Sequence, residues 1–234
     1  MDICFILDDS GSIEYNGYGN WQRMLDFVIS VVSSLNIGPN GVHVALVKFD
    51  TTAEVEFYLN DYTDSANIIR RINSTHYDGL STNIAAGFNL TTTQIFTQAK
   101  GKRQGVPLVA VLITDGRAVL DTSQTIPSAR IAKNMGIRII AVGVTSDIDL
   151  AELQNIASTP ADVYNVSDYR FLSTVVTKLQ ENFNGDCVVA APTTTTLAPP
   201  PPAQVTVTGI EFLSLFSFSS FVLTDRNSAN RVLR

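Results

Sequence analysis

The stretch from Cys4 to Glu14 reads CFILDDSGSIE, an apolar run that ends on two adjacent carboxylates, Asp8 and Asp9, with Ser10 and Ser12 close behind. Neighbouring negative charges repel one another and resist loss of solvent, so this arrangement asks for something positive. Asp8-x-Ser10-x-Ser12 places a carboxylate and two hydroxyls in a turn at a strand end, all of them hard oxygen donors. Such donors suit Mg²⁺ or Mn²⁺, admit Ca²⁺, and are unsuited to zinc, which prefers imidazole and thiolate. The two histidines, His43 and His76, have no partner at metal-ligand spacing and read as structural or solvent-facing. A further carboxylate, Asp115, follows the apolar run in VLITDGR. No nucleophile with an adjacent base and no perturbed catalytic pair is visible, so this is the chemistry of binding and not of an enzyme.

Elements that could place these residues together follow from the hydrophobic pattern. The run 2–7 is rich in β-branched and aromatic residues and predicts a strand. Trp21, Met24, Leu25, Val28, Val31, Val32 and Leu35 recur at three- and four-residue spacing, an amphipathic helix. Strands are expected over 42–49, 53–59, 107–114, 137–144 and 162–166, with 107–114 the most hydrophobic and the alternating 53–59 an edge with one wet face. Helices are expected over 64–73, from near Asn83, over 125–135 and 150–158, and in a last segment with Phe171, Leu172, Val175, Val176, Leu179 and Phe183 as its apolar stripe. This alternation implies right-handed crossovers and a doubly wound, mostly parallel α/β sheet with one antiparallel edge strand and helices on both faces. Ligands in such folds sit beyond the carboxyl ends of the strands. Asp8 and Asp115, distant in sequence, thereby fall on one rim.

The remaining composition narrows the function. With 234 residues, 45% of them hydrophobic, and a formal net charge of −6, the chain suits a folded domain with extras and lacks the basic face that nucleic acid requires. The domain is expected over 1–187. A Thr/Pro-rich spacer follows over 188–204, containing APTTTTLAPPPP, and then a tail over 205–234 that reads as disordered or truncated. The apolar part of that tail, GIEFLSLFSFSSFVL, falls short of the roughly 20 residues that span a bilayer. Cys4, inside an apolar strand, reads as a small buried hydrophobe; a disulfide with Cys187 requires the last helix to end beside the first strand.

These residues resemble the von Willebrand factor type A family, and specifically its matrilin and collagen-associated extracellular members. The similarity runs over about residues 1–184 and includes MLDFVISVV, VALVKFDTTAEVEFYLNDY, VGVTSDIDLAELQNIAS and VYNVSDYRFLSTVV. The resemblance implies a metal-ion-dependent adhesion site (MIDAS), a D-x-S-x-S turn joined by a threonine from a later loop and an aspartate after the central strand. In this sequence LDDSGSI supplies Asp8, Ser10 and Ser12, DGLSTNIAAGF supplies Thr82, and VLITDGR supplies Asp115. Asp9 stands where the family often has a small residue; it approaches the cation through water or faces solvent. The resemblance further implies Mg²⁺, with Mn²⁺ or Ca²⁺ as substitutes, and adhesion in which an acidic side chain of an extracellular matrix or cell-surface protein, collagen among them, completes the metal's coordination.

Two other readings fit parts of the chain. A receiver-like phosphoryl-transfer domain would use Asp50 as phosphoacceptor, but the strand IIAVGV ends without the lysine that chemistry needs. An intracellular type A scaffold fits the lack of a signal peptide ahead of the first strand. Against it stand three glycosylation triplets, Asn73 in NST, Asn89 in NLT and Asn165 in NVS, together with the Thr/Pro tract. The expectation is a secreted protein, here a fragment without its start.

Overall fold

A computed structural model describes residues 1–187 of the chain, with side chains through residue 183; the expected spacer and tail lie outside the described residues. Six strands form one sheet in the order β3-β2-β1-β4-β5-β6. They are β1 Asp2–Asp8, β2 His43–Phe49, β3 Ala53–Phe57, β4 Leu108–Thr114, β5 Ile137–Val144 and β6 Val163–Val166. All neighbours pair in parallel except β3, which runs antiparallel to β2 at one edge. The doubly wound sheet expected from sequence is thus the fold, and the edge strand proves two residues shorter than the run 53–59 suggested.

Every residue of β1 and β4 is buried, because helices cover both faces. On one face Ile3, Phe5 and Leu7 meet α2 Asn20–Ser33, α3 Ser65–Asn73 and α7 Ser173–Cys187. On the other, Cys4 and Ile6 meet α4 Ile84–Leu90, α5 Thr122–Asn134 and α6 Leu150–Ile156. A short helix α1, Ser12–Tyr15, follows β1 directly. Alternation along β1 therefore sends Cys4 away from α7. Cys4 is a free, fully buried thiol, and the pairing with Cys187 weighed from sequence is corrected on that ground. Burial also pushes the Cys4 thiol up to about 12, which keeps it protonated and inert. A second correction concerns Phe171, which lies before α7 and is 48% exposed, outside the apolar stripe.

The strand order sets the location of the rim. From β1 the chain steps outward to β2 and β3 on one side, then returns to place β4 on the other side of β1. The reversal opens a crevice beyond the carboxyl ends of β1 and β4. Asp8 closes β1, and Asp115 comes one residue after β4 ends.

Candidate metal centre

At the end of β1 the chain turns sharply, and hydrogen bonds with the loop between α3 and α4 hold the turn. Gly11 N–H donates to Leu80 O at 2.8 Å, and a Cβ at position 11 would stand only 3.0 Å from Gly79 O, so glycine permits this close approach. Gly79 itself has φ +74° and donates to Asp9 O at 3.0 Å. Tyr77 Oη donates to Ser10 O at 2.8 Å. The loop that carries Thr82 is therefore stitched to the loop that carries Ser10 and Ser12.

Asp8, with no exposed surface, accepts from Ser10 N–H at 3.0 Å through Oδ1 and from the Thr114 hydroxyl at 2.6 Å through Oδ2. The Ser10 and Ser12 hydroxyls are 3.1 Å apart, and Ser12 Oγ donates to Asp115 Oδ1 at 2.6 Å. Asn16 Nδ2 donates to Asp115 Oδ2 at 3.2 Å, and Thr145 Oγ1 donates to Asp115 O at 3.2 Å. Thr145 has φ +77°, a strained setting for a β-branched residue, at the rim end of β5. Four of the residues expected from sequence, Asp8, Ser10, Ser12 and Asp115, thus belong to one hydrogen-bonded set.

Thr82 is held by its backbone. Val119 and Leu120 N–H groups donate to Thr82 O at 2.9 and 3.0 Å, and Asn83, the next residue, caps α4 by accepting from Ala86 N–H at 3.0 Å. The Thr82 hydroxyl makes no hydrogen bond among the described residues. Together with Ser10, Ser12, Ser81, Gly116 and Arg117 it lines an open cleft of about 620 Å³. Leu80 and Val119 border this cleft and are 60% and 61% exposed.

Charge is unbalanced here. Among the described residues neither Asp8 nor Asp115 pairs with Lys, Arg or His. Burial, then the Asp115 charge, push the Asp8 carboxyl up to about 7. Burial raises Asp115 as well, against the hydrogen bonds from Ser12 and Asn16. A pair of buried carboxylates beside free hydroxyl lone pairs suits a small divalent cation, which would neutralise both charges and take oxygen donors alone.

Asp9 does not do what the sequence suggested. It is 1% exposed and points away from Asp115 toward β2, where Lys48 Nζ donates to Asp9 Oδ2 at 3.2 Å. The same ammonium donates to Asp78 and to His76 O and lies 3.8 Å from Glu54 Oε2. Burial raises Asp9 to about 6 in spite of Lys48. Burial works against the Lys48 ammonium too, but Asp78 and Asp9 outweigh it and raise its pKa. Asp9, Asp50 and Asp78 bring carboxylate oxygens within 4.8 Å of one another. Sequence reasoning missed Lys48, Asn16 and Thr114. Only Lys48 carried a signal, a charged residue inside the apolar strand VALVKF.

Comparison with known proteins agrees with this geometry. The model of the von Willebrand factor type A domain matches residues 2–178. The mouse (Mus musculus) collagen alpha-1(XX) chain is 32% identical over 180 residues, 76% of this chain and 13% of that one. Human matrilin-3 is 31% identical over 190 residues, 78% of this chain and 37% of that one. The chain therefore spans well under half the length of these relatives. Among solved structures, proximal thread matrix protein 1 from the mussel byssus superimposes with a TM-score of 0.72 at 30% identity, over 78% of this chain and 45% of that one. Zinc occupies the MIDAS motif of that protein, so the preference of zinc for nitrogen and sulfur does not by itself keep it from such a site.

Proposed function

The chain belongs to the von Willebrand factor type A family, and from that premise we propose that it is a divalent-cation-dependent adhesion module whose cation is held by Asp8, Ser10, Ser12, Thr82 and Asp115. The observation that carries this reading is the pair Asp8 and Asp115: buried at the crevice between β1 and β4, beside hydroxyls, and with no cationic side chain paired to them among the described residues. Mg²⁺ is the expected ion, with Mn²⁺ and Ca²⁺ as substitutes. Mg²⁺ keeps several waters, so a carboxylate from a partner can replace one and complete the coordination. The chain's own part is to aim these oxygens at one point. The bonds among Asp8, Ser10, Ser12, Asn16 and Asp115 hold these groups together. The family's fold also removes the basis for the receiver-like alternative built on Asp50.

The partner is an extracellular matrix or cell-surface protein, collagen among them, engaged through an acidic side chain, and the protein is neither an enzyme nor a nucleic-acid binder. The collagen and matrilin relatives support an extracellular setting. So do Asn73, Asn89 and Asn165, all exposed; at Asn165 the triplet's hydroxyl residue, Ser167, is exposed as well. A mobility shift on deglycosylation of native material tests the setting. Thermal melting of the full chain in chelator, then with Mg²⁺ or Mn²⁺, tests the site. A cation at about 100 times its dissociation constant is expected to add about 2.7 kcal/mol. A melting curve indifferent to every divalent ion would refute the site.

A further inference from the structure

The exposed hydrophobic side chains of this protein gather at one end. Among the described residues Tyr15, Tyr18, Leu80, Val119, Leu150 and Phe171 are large, hydrophobic and exposed. Tyr15 and Tyr18 follow β1, Val119 follows β4, Leu150 opens α6 after β5, and Phe171 closes the 3₁₀ turn after β6. Leu80 lies in the loop between α3 and α4, which Gly11 N–H ties to the turn after β1. All six therefore stand at the end of the sheet that carries the acidic rim. The others, Ile131 and Met135, stand at the opposite end, where α5 leads into β5. Hydrophobic side chains scattered singly over a surface need no explanation, but their gathering around one polar cleft marks a face that meets another molecule.

Leu80 and Val119 border the cleft itself. Their backbones brace the loops: Leu80 O accepts from Gly11 N–H at 2.8 Å, and Val119 N–H donates to Thr82 O at 2.9 Å. Their side chains are left to solvent on the same border as Ser10, Ser12 and Thr82. Arg117 stands on that border too. Its neighbours are anchored, Gly116 N–H on Thr114 Oγ1 at 3.3 Å and Ala118 N–H on Glu152 Oε2 at 3.1 Å. The Arg117 side chain is exposed and forms no ion pair among the described residues. Among those residues no other Lys or Arg borders the cleft, in a chain whose net charge is −6.

Resting on the reading of this rim as a divalent-cation site, we infer that its partner is an acidic, partly apolar segment of a protein. One carboxylate of the segment completes the cation's coordination, a bulky apolar side chain beside it packs against Leu80 and Val119, and a second carboxylate faces Arg117. The three contacts divide the work. The cation attracts any exposed acid and so carries no sequence preference. Removal of the apolar side chain from water against Leu80 and Val119 selects among acids. Arg117 adds orientation more than strength, because an exposed ion pair is worth little, and Asp147 on the same border disfavours an acid placed beside it.

The probes are immobilised synthetic peptides, read against the full-length protein in Mn²⁺ on a surface biosensor. The parent peptide holds a central glutamate with a phenylalanine two residues to one side and a second glutamate two residues to the other, in both orders. An extended backbone turns all three to one face. Derivatives replace each of the three by alanine. Loss of the phenylalanine is expected to weaken binding to wild type about tenfold and to change nothing in the double variant Leu80→Ser/Val119→Ser. Loss of the second glutamate is expected to weaken binding about threefold in wild type and not in Arg117→Ala. Parent and phenylalanine-free peptides that bind alike, or a preference that survives in the double variant, would overturn the inference, while calorimetric uptake of Mn²⁺ left the cation site standing. Heparin binding that Arg117→Ala abolishes and chelator does not touch would overturn it too, by making a sulfated polysaccharide the occupant. A wild type that takes up no Mn²⁺ would refute the cation site first and the inference with it.

Discussion

Two carboxylate clusters meet at the turn after β1, and consecutive residues feed them. Asp9 joins Asp78 and Glu54 around the ammonium of Lys48, which the chain supplies from the adjacent strand, with the Asp50 carboxylate close to those of Asp9 and Asp78. Asp8 joins Asp115, and there the described residues supply hydroxyls, an amide and a backbone N–H, with no paired cation among them. Burial raises Asp9 in the first place and Asp8 and Asp115 in the second, so what separates these buried acids is the counter-charge and not the dielectric. Where the task is to brace two loops, the fold neutralises its buried acids internally. Where it leaves them uncompensated, hydroxyls border an open cleft, and this is the pair on which the proposed cation site rests.

The widest gap between the two clusters should appear on removing Lys48. Lys48→Met leaves Asp9 buried without a cation and is expected to destabilise the cation-free protein by about 3–5 kcal/mol, read from the urea midpoint. A loss below about 1 kcal/mol would mean that the ammonium does not distinguish the clusters. Asp115→Ala should behave in the opposite way. In chelator it keeps its circular dichroism spectrum and melts near wild type, because a repulsive charge beside Asp8 has gone. It forfeits the stabilisation of about 2.7 kcal/mol that cation at 100 times its dissociation constant adds to wild type.

A pH series sharpens the same contrast. The folded-state pKa of Asp8, about 7, lies above its ordinary value of 3.8, so the folded protein binds the proton more tightly than the unfolded chain. In chelator, the Asp8 contribution to stability is therefore full below about pH 4 and is lost as pH rises to about 7. Cation binding has the reverse slope, because the ligand must be deprotonated: affinity should weaken by up to about tenfold per unit below pH 7. Over that range the melt in chelator should fall as pH rises while the Mg²⁺-loaded melt stays nearly level, so the Mg²⁺-induced increment grows with pH; an increment independent of pH would argue against Asp8 as a ligand. The smallest effect belongs to a helix cap that neither cluster uses. Asp149 caps α6 by accepting from Glu152 N–H at 3.0 Å. Asp149→Ala is expected to cost about 1 kcal/mol in thermal melts and to leave the cation-induced rise unchanged.

Much of the frame was legible because it depends on local periodicity. Strands buried on both faces read as unbroken apolar runs, and α2 carries a three-and-four-residue apolar spacing that its buried residues Met24, Leu25, Val28, Val31 and Val32 reproduce. Asp8 and Asp115 could be placed on one rim because each stands at the end of a run recognisable as a strand. Phe171 misled because three-residue spacing extends apolar patterns past the true start of a helix, and the chain there is a 3₁₀ turn. Cys4 was open from sequence because facing cannot be known until a strand's neighbours are, and β1 turned it toward α4 and α5.

The sequence by itself determined the doubly wound alternation, the oxygen-donor character of the rim and the two carboxylates that end their strands, since all of these follow from residue types within short windows. Only the tertiary structure decided which acid each partner meets. Asp8 and Asp9 are adjacent on the chain, yet the pleat of β1 and the turn beyond it send one toward Thr114 and the other toward Lys48. Asn16 and Ser12 come to Asp115 across about a hundred residues. Such encounters depend on how the strands are ordered and how the loops pack, and no local pattern encodes them.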